Sequence, residues 1–277
     1  MITISKSQIS IMNIQYGYYP LEKFLDDAVR AGVEHVELWG AAPHFHLEDM
    51  TYTDVCRVRK QIEERGLSLV CYTPEQCIYP VNLAADSTVQ RRRSLKYFED
   101  NLRAAAELGT DKMLVTGWGY LDNSNINEAW KHAREGLMSL GDMARDYGIK
   151  LALEVLRRDE SNLVYNLPTL KRMMEDLSHP AIGAMIDTIP MALAGERPED
   201  YLKVFGEQLV HVHFIDGAPR GHLAWGDGVL DMKGYLEEFS RYSYKGYLSL
   251  EITDGRYRVD PTSSVLQSVE RLYDVLN

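Results

Sequence analysis

Two spacings of apolar residues take turns along the chain. Leu21, Phe24, Leu25, Ala28 and Val29 recur at helical intervals and stop at Gly32, after which His35–Trp39 forms a short strand-like run. The same unit repeats: Tyr52–Glu64 ends at Gly66 before Ser68–Tyr72, and Ser87–Leu108 ends at Gly109 before Lys112–Val115. Asn125–Tyr147 leads to Lys150–Glu154, Leu167–Leu177 to Gly183–Asp187, Glu199–Phe205 to Leu209–Phe214, and Asp231–Tyr242 to Gly246–Glu251. Gln8–Ile14 supplies a first strand and Ser263–Leu276 a last helix. Eight alternating units without a linker predict one α/β domain over residues 1–277, folded as a (β/α)8 TIM barrel with its active site at the carboxyl ends of the strands. A doubly wound open sheet is the alternative, but it would not gather the fifth to eighth strands around one axis.

The ends of those four strands carry the chemistry. Each apolar run finishes at a side chain able to bind a metal: Glu154, Asp187, His213 and Glu251. Alternation along a strand puts Ala152 on the face of Glu154, Met185 on that of Asp187, His211 on that of His213 and Ser249 on that of Glu251. In a closed barrel the four would converge on one mouth, where three carboxylates and an imidazole suit a divalent cation such as manganese, cobalt, zinc or magnesium. One acid at a strand end often only caps the next helix. Four in succession read as a site.

Charge and cysteine content narrow the partners. Lys plus Arg number 30 against 41 Asp plus Glu, a formal net charge of -11, and no basic run is long enough to track a phosphate backbone, so nucleic acid is not expected. Cys56, Cys71 and Cys77 form no C-x-x-C pair, as in a reducing cytoplasm. The first residues, MITISKSQIS, lack a signal-peptide pattern, and no apolar run approaches membrane-spanning length, so a cytoplasmic protein without a membrane partner is expected. Assembly into a homo-oligomer is left open.

With these strand ends in place, the chain resembles the sugar isomerase and epimerase barrels related to xylose isomerase and endonuclease IV. ELWGAAPHFH at Glu37–His46, YTPEQCIYPVN at Tyr72–Asn82 and LEVLRRDESN at Leu153–Asn162 are similar to the fructoselysine 3-epimerase and ketose 3-epimerase branch. The resemblance implies a metal-dependent isomerase in which Glu154, Asp187, His213 and Glu251 hold one divalent ion, manganese foremost. It further implies epimerisation at C3 of a ketose or fructoselysine-like ketosamine through a metal-stabilised enediolate, with Glu154 and Glu251 as the acid and base. Glu160, six residues after the first ligand, falls where the branch places a sugar-contacting Glu. Pro190 stands where many ketose 3-epimerases have a His, and Arg220 lies only near the position of an Arg that follows the His ligand. Both departures bear on which sugar is taken.

Other residues near the mouth have two readings each. His44 either touches substrate or serves its loop, and Trp39 and Trp118 either wall the sugar or pack in the core. Glu37 is a barrel-interior acid or a paired structural residue; Glu75 reads as a turn acid and His211 as a hydrogen-bonded barrel residue. Arg91, Arg92 and Arg93 read as a solvated helix face, and His222, with the WGDG turn at Trp225–Gly228, either encloses substrate or packs. An aldose-ketose isomerase is the second functional reading, a polyol dehydratase the third. An endonuclease IV-like DNA-repair enzyme is disfavoured by eight His and the negative charge. A sugar-binding protein without catalysis is the non-enzymatic alternative.

Overall fold

The computed structural model describes residues 2–116, 119 and 125–276. Eight parallel strands close into a barrel in sequence order: β1 (Ile9–Met12), β2 (His35–Gly40), β3 (Ser68–Pro74), β4 (Lys112–Thr116), β5 (Lys150–Glu154), β6 (Ile182–Asp187), β7 (Leu209–His213) and β8 (Leu248–Leu250). Around them run α1 (Leu21–Ala31), α2 (Tyr52–Glu63), α3 (Thr88–Leu108), α4 (Ile126–Asp146), α5 (Leu167–Leu177), α6 (Thr188–Leu193), α7 (Pro198–Phe205), α8 (Met232–Arg241) and α9 (Pro261–Val275). The barrel expected from the alternating pattern is the one observed. Gly32 and Gly109 end α1 and α3 in the left-handed conformation that lets their N–H groups turn back on the last carbonyls.

Two apolar layers result. Between helices and barrel lies the main core, in which Phe24, Phe98, Leu137, Met173, Tyr201, Phe239 and Leu272 are buried. Inside the barrel, Cys71, Leu114, Ala152 and Met185 form a small apolar plug. Two residues further along β5 and β6 from Ala152 and Met185 stand Glu154 and Asp187, so the plug floors the polar end of the barrel. The strands are staggered: Glu154 pairs with Met185, Asp187 with His213, and His213 with Ser249. Closure with this stagger tilts the strands and brings residues at unequal strand positions to one level.

Several boundaries shift by a residue or two, and three of the departures bear on the site. β1 is shorter than Gln8–Ile14, β8 stops at Leu250 so that Glu251 lies just beyond it, and α6 begins directly after β6. α6 is too short for its periodicity to be visible. It starts because Asp187 Oδ1 accepts the N–H of Ile189 at 2.8 Å, and Pro190 is tolerated in its first turn, where N–H groups have no intrahelical acceptor.

The loop from β7 to α8 is built on one buried carboxylate. Asp216 accepts N–H groups from Gly217 (2.8 Å), Gly226 (3.0 Å), Gly228 (2.9 Å) and Leu230 (3.0 Å). Gly228 approaches so closely that a Cβ there would collide with this carboxylate. Trp225, buried at the centre of the loop, donates its indole N–H to Phe214 O and its backbone N–H to Ser268 Oγ in α9. Asp216→Asn would turn an amide NH2 toward two of the four donors, and should destabilise the protein by about 2–4 kcal/mol. Thermal denaturation checks this; an unchanged melting temperature would show that the loop does not depend on the carboxylate.

Candidate metal centre and active site

Glu154, Asp187 and His213 end β5, β6 and β7, and Glu251 follows β8. One ligand atom from each of the four lies within 4.8 Å of all the others. His213 Nδ1 is 3.0 Å from Glu154 Oε1 and 3.0 Å from Glu251 Oε2, yet it has no aligned hydrogen-bond partner and is buried. Oxygens and a ring nitrogen that crowd together without hydrogen-bonding to one another are what a shared cation would use. The set of three carboxylates and one imidazole therefore fits a divalent metal.

Electrostatics at the site follow from burying several charges side by side. Burial raises the Glu154 carboxyl to about 8, against the lowering influence of His213. Burial alone would lower His213, but Glu251, Glu37 and Glu154 outweigh it and hold the imidazole well above its ordinary range. Asp187 is held low by His222, which overcomes the desolvation that would raise it.

His222 is the residue that sequence reasoning left undecided. Its Nε2 lies 2.8 Å from Asp187 Oδ2 and 3.3 Å from Glu251 Oε2, so it bridges two of the candidate ligands from the β7–α8 loop. Burial would lower it, but Asp187 and Glu251 push it up to about 9. Its place is held by its own carbonyl, which accepts the N–H of Thr253 at 3.1 Å. The only sequence signal for it was position in a Gly-rich loop after a ligand strand.

Below the cluster, Glu37 accepts hydrogen bonds from His211 Nε2 (2.8 Å), His213 Nε2 (3.1 Å) and Thr73 Oγ1. His211 and Glu37 are thus partners inside the barrel. Glu75 accepts the N–H groups of Cys77 and Ile78 and the indole N–H of Trp39, as a turn acid does. Arg91 and Arg93 donate to backbone carbonyls of the preceding loop.

The remaining residues singled out in the sequence stand at different depths. Glu160 is half-buried, accepts from Arg157 Nη2 at 2.5 Å and from the Arg157 N–H at 3.0 Å, and is raised by burial. Arg220 is exposed and pairs with Asp159 at 2.8 Å, joining the β5–α5 loop to the β7–α8 loop. His44 has both ring nitrogens engaged, Nδ1 with the Asn13 amide at 2.9 Å and Nε2 with Tyr19 O at 2.8 Å. Trp39 is buried against Met12 and Ala41. Trp118 lies outside the described residues.

Comparison with known proteins gives this geometry a family. Fructoselysine 3-epimerase of Escherichia coli O157:H7 is 26% identical over 261 residues, 93% of this chain and 94% of the relative. D-psicose 3-epimerase of Agrobacterium fabrum is 24% identical over 228 residues, 76% of each chain. Among solved structures, an L-ribulose 3-epimerase superposes with a TM-score of 0.82 at 18% identity, covering 98% of this chain and 94% of that one. D-psicose 3-epimerase from Clostridium cellulolyticum H10, solved with D-tagatose, gives 0.82 at 15% identity over 98% and 99%. At such identities the superpositions speak to fold. Residues 25–275 match the model of the xylose isomerase-like TIM barrel, and the chain belongs to that family.

Proposed function

We propose that this protein is a divalent-metal-dependent epimerase acting at C3 of a ketose or a fructoselysine-like ketosamine. The observation that carries the reading is the convergence of Glu154, Asp187, His213 and Glu251 around an unpartnered His213 Nδ1. The fructoselysine and psicose 3-epimerases among its relatives supply the reaction class. When bound, a divalent cation, manganese by preference, supplies Lewis-acid stabilisation of the charge that develops on the oxygen beside the reacting carbon.

The proton steps fall to Glu154 and Glu251. They reach the centre from β5 and from the end of β8, with β6 and β7 between, so a sugar held across the mouth meets a carboxylate on each side. One takes the C3 proton and the other returns a proton to the opposite face, each transfer by a positioned carboxyl contributing about 10²- to 10⁴-fold. Around them, burial keeps water from competing for the proton. At the rim, Glu160 and Arg220 reach the substrate's hydroxyls or amine-borne groups, with Trp39 and His44 as the wall behind.

Metal binding should be proton-linked. In the metal-free site Glu154 titrates near 8 and His213 is also raised, so below that range protons occupy the acceptors a cation requires, and they leave as it binds. With at least one proton displaced, manganese affinity should fall about tenfold or more per pH unit below about pH 8. Calorimetry at several pH values checks this, and an affinity independent of pH would count against it. Exhaustive chelation should abolish activity, and manganese or cobalt should restore it.

Glu154→Gln and Glu251→Gln each keep an oxygen but lose the carboxylate's proton transfer, so both should lose epimerisation. Given each C3 epimer separately in D₂O, a metal-loaded variant should still exchange the C3 hydrogen of the epimer that its intact Glu faces, with opposite preferences in the two variants. Full epimerisation by either variant removes that Glu from the proton path; carbonyl movement to C1 would instead mark an aldose-ketose isomerase. Glu160→Gln should retain metal while raising KM or shifting preference among ketoses and fructosamines. Unaltered kinetics across such a panel would leave Glu160 a loop residue.

A further inference from the structure

Inside the barrel, beneath the four candidate ligands, stands a fully buried carboxylate that the proposed chemistry does not use. Glu37 rises from β2 and spans the interior to β7, where its Oε2 meets His211 Nε2 at 2.8 Å and its Oε1 meets His213 Nε2 at 3.1 Å. Thr73 Oγ1 donates to Oε1 from the neighbouring β3. Glu37, His211 and His213 would also pass for a small cation cluster on proximity alone. Their distances, however, are those of N–H groups donating to a carboxylate, and none of the three is exposed to solvent.

An ionised carboxylate only accepts hydrogen bonds, so each His facing it must carry its proton on Nε2. For His213 this has a consequence at the other ring nitrogen. A neutral imidazole protonated on Nε2 presents a lone pair on Nδ1, the atom that faces Glu154 and Glu251 at 3.0 Å. His211 leaves its own Nδ1 buried without a hydrogen-bond partner, so it serves no acceptor but Glu37. His211 and Thr73 thereby fix the carboxylate that fixes His213.

Resting on the reading of Glu154, Asp187, His213 and Glu251 as a metal centre, we propose that Glu37 is its positioning residue, selecting through His213 Nε2–H the tautomer and ring orientation that offer Nδ1 to the cation. Such carboxylate-histidine pairs typically alter metal affinity about 10- to 100-fold when broken. Glu37 acts on binding of the metal and touches no reacting atom.

The test uses the full chain with Glu37→Gln and Glu37→Met. Manganese dissociation constants are measured by calorimetry at one pH, and the His213 ring nitrogens are followed by ¹⁵N NMR in metal-free and zinc-loaded protein. Once His213 is neutral, with zinc bound or at a pH high enough to deprotonate it, the parent should show a single Nε2–H tautomer, and Glu37→Met should bind manganese about 10- to 100-fold more weakly with that tautomer signal lost. Glu37→Gln keeps an acceptor oxygen, so it should retain the tautomer yet bind manganese more weakly than the parent, by less than the Met variant. If Glu37→Met does not fold, the Gln variant and the parent spectrum decide. Manganese affinity within twofold of the parent in the folded variants, or a neutral parent His213 that carries its one proton on Nδ1, overturns the proposal. A parent that binds no manganese overturns the metal-centre reading and this inference with it; a parent that binds while the variants match it overturns this inference alone.

Discussion

Closure of the parallel barrel is the constraint from which the rest follows. Eight strands running the same way must bring their carboxyl ends to one rim, and the stagger that closure imposes sets which residues share a level there. Asp187 and His213 are register partners, whereas Glu154 sits opposite Met185, two positions before Asp187. A one-residue slip in any of these pairings would turn a ligand out toward the helices. The apolar plug of Cys71, Leu114, Ala152 and Met185 makes such slips costly, because it would be lost with the ligands.

Placing three carboxylates in so small a volume sets up mutual repulsion, which the protein answers with imidazoles. His213 stands between Glu154 and Glu251 on one side and Glu37 on the other, and His222 spans Asp187 and Glu251. Every carboxylate of the centre has a ring nitrogen within about hydrogen-bonding distance. The arrangement is acidic enough to attract a cation and sufficiently compensated to fold.

Much of this was legible in the sequence. Runs such as KLALE and GAMID announce both the strand and its terminal acid, because alternation and burial act on residues adjacent in the chain. What was hidden depends on residues far apart or on loops. His222 comes to Asp187 across 35 positions through a loop whose course is set by Asp216, and neither effect leaves a periodic trace. Trp39 and His44 follow β2 near the mouth, but their polar atoms are engaged by Glu75, Asn13 and Tyr19, partners that only the closed barrel identifies. α6 was missed because its start is dictated by a side chain already assigned to the metal.

The loop between β7 and α8 is fastened to the last helix as well as to the barrel. Trp225 hydrogen-bonds through its backbone N–H to Ser268, Gln267 donates to Trp225 O and to Asp227, and Gly226 lies against the Arg271 side chain. During synthesis, then, β5, β6 and β7 emerge with three candidate ligands well before the loop has its anchor. The loop that carries His222 to Asp187 therefore takes part of its anchorage from the last helix to be made, and a chain lacking α9 would keep the ligand strands but lose that anchorage.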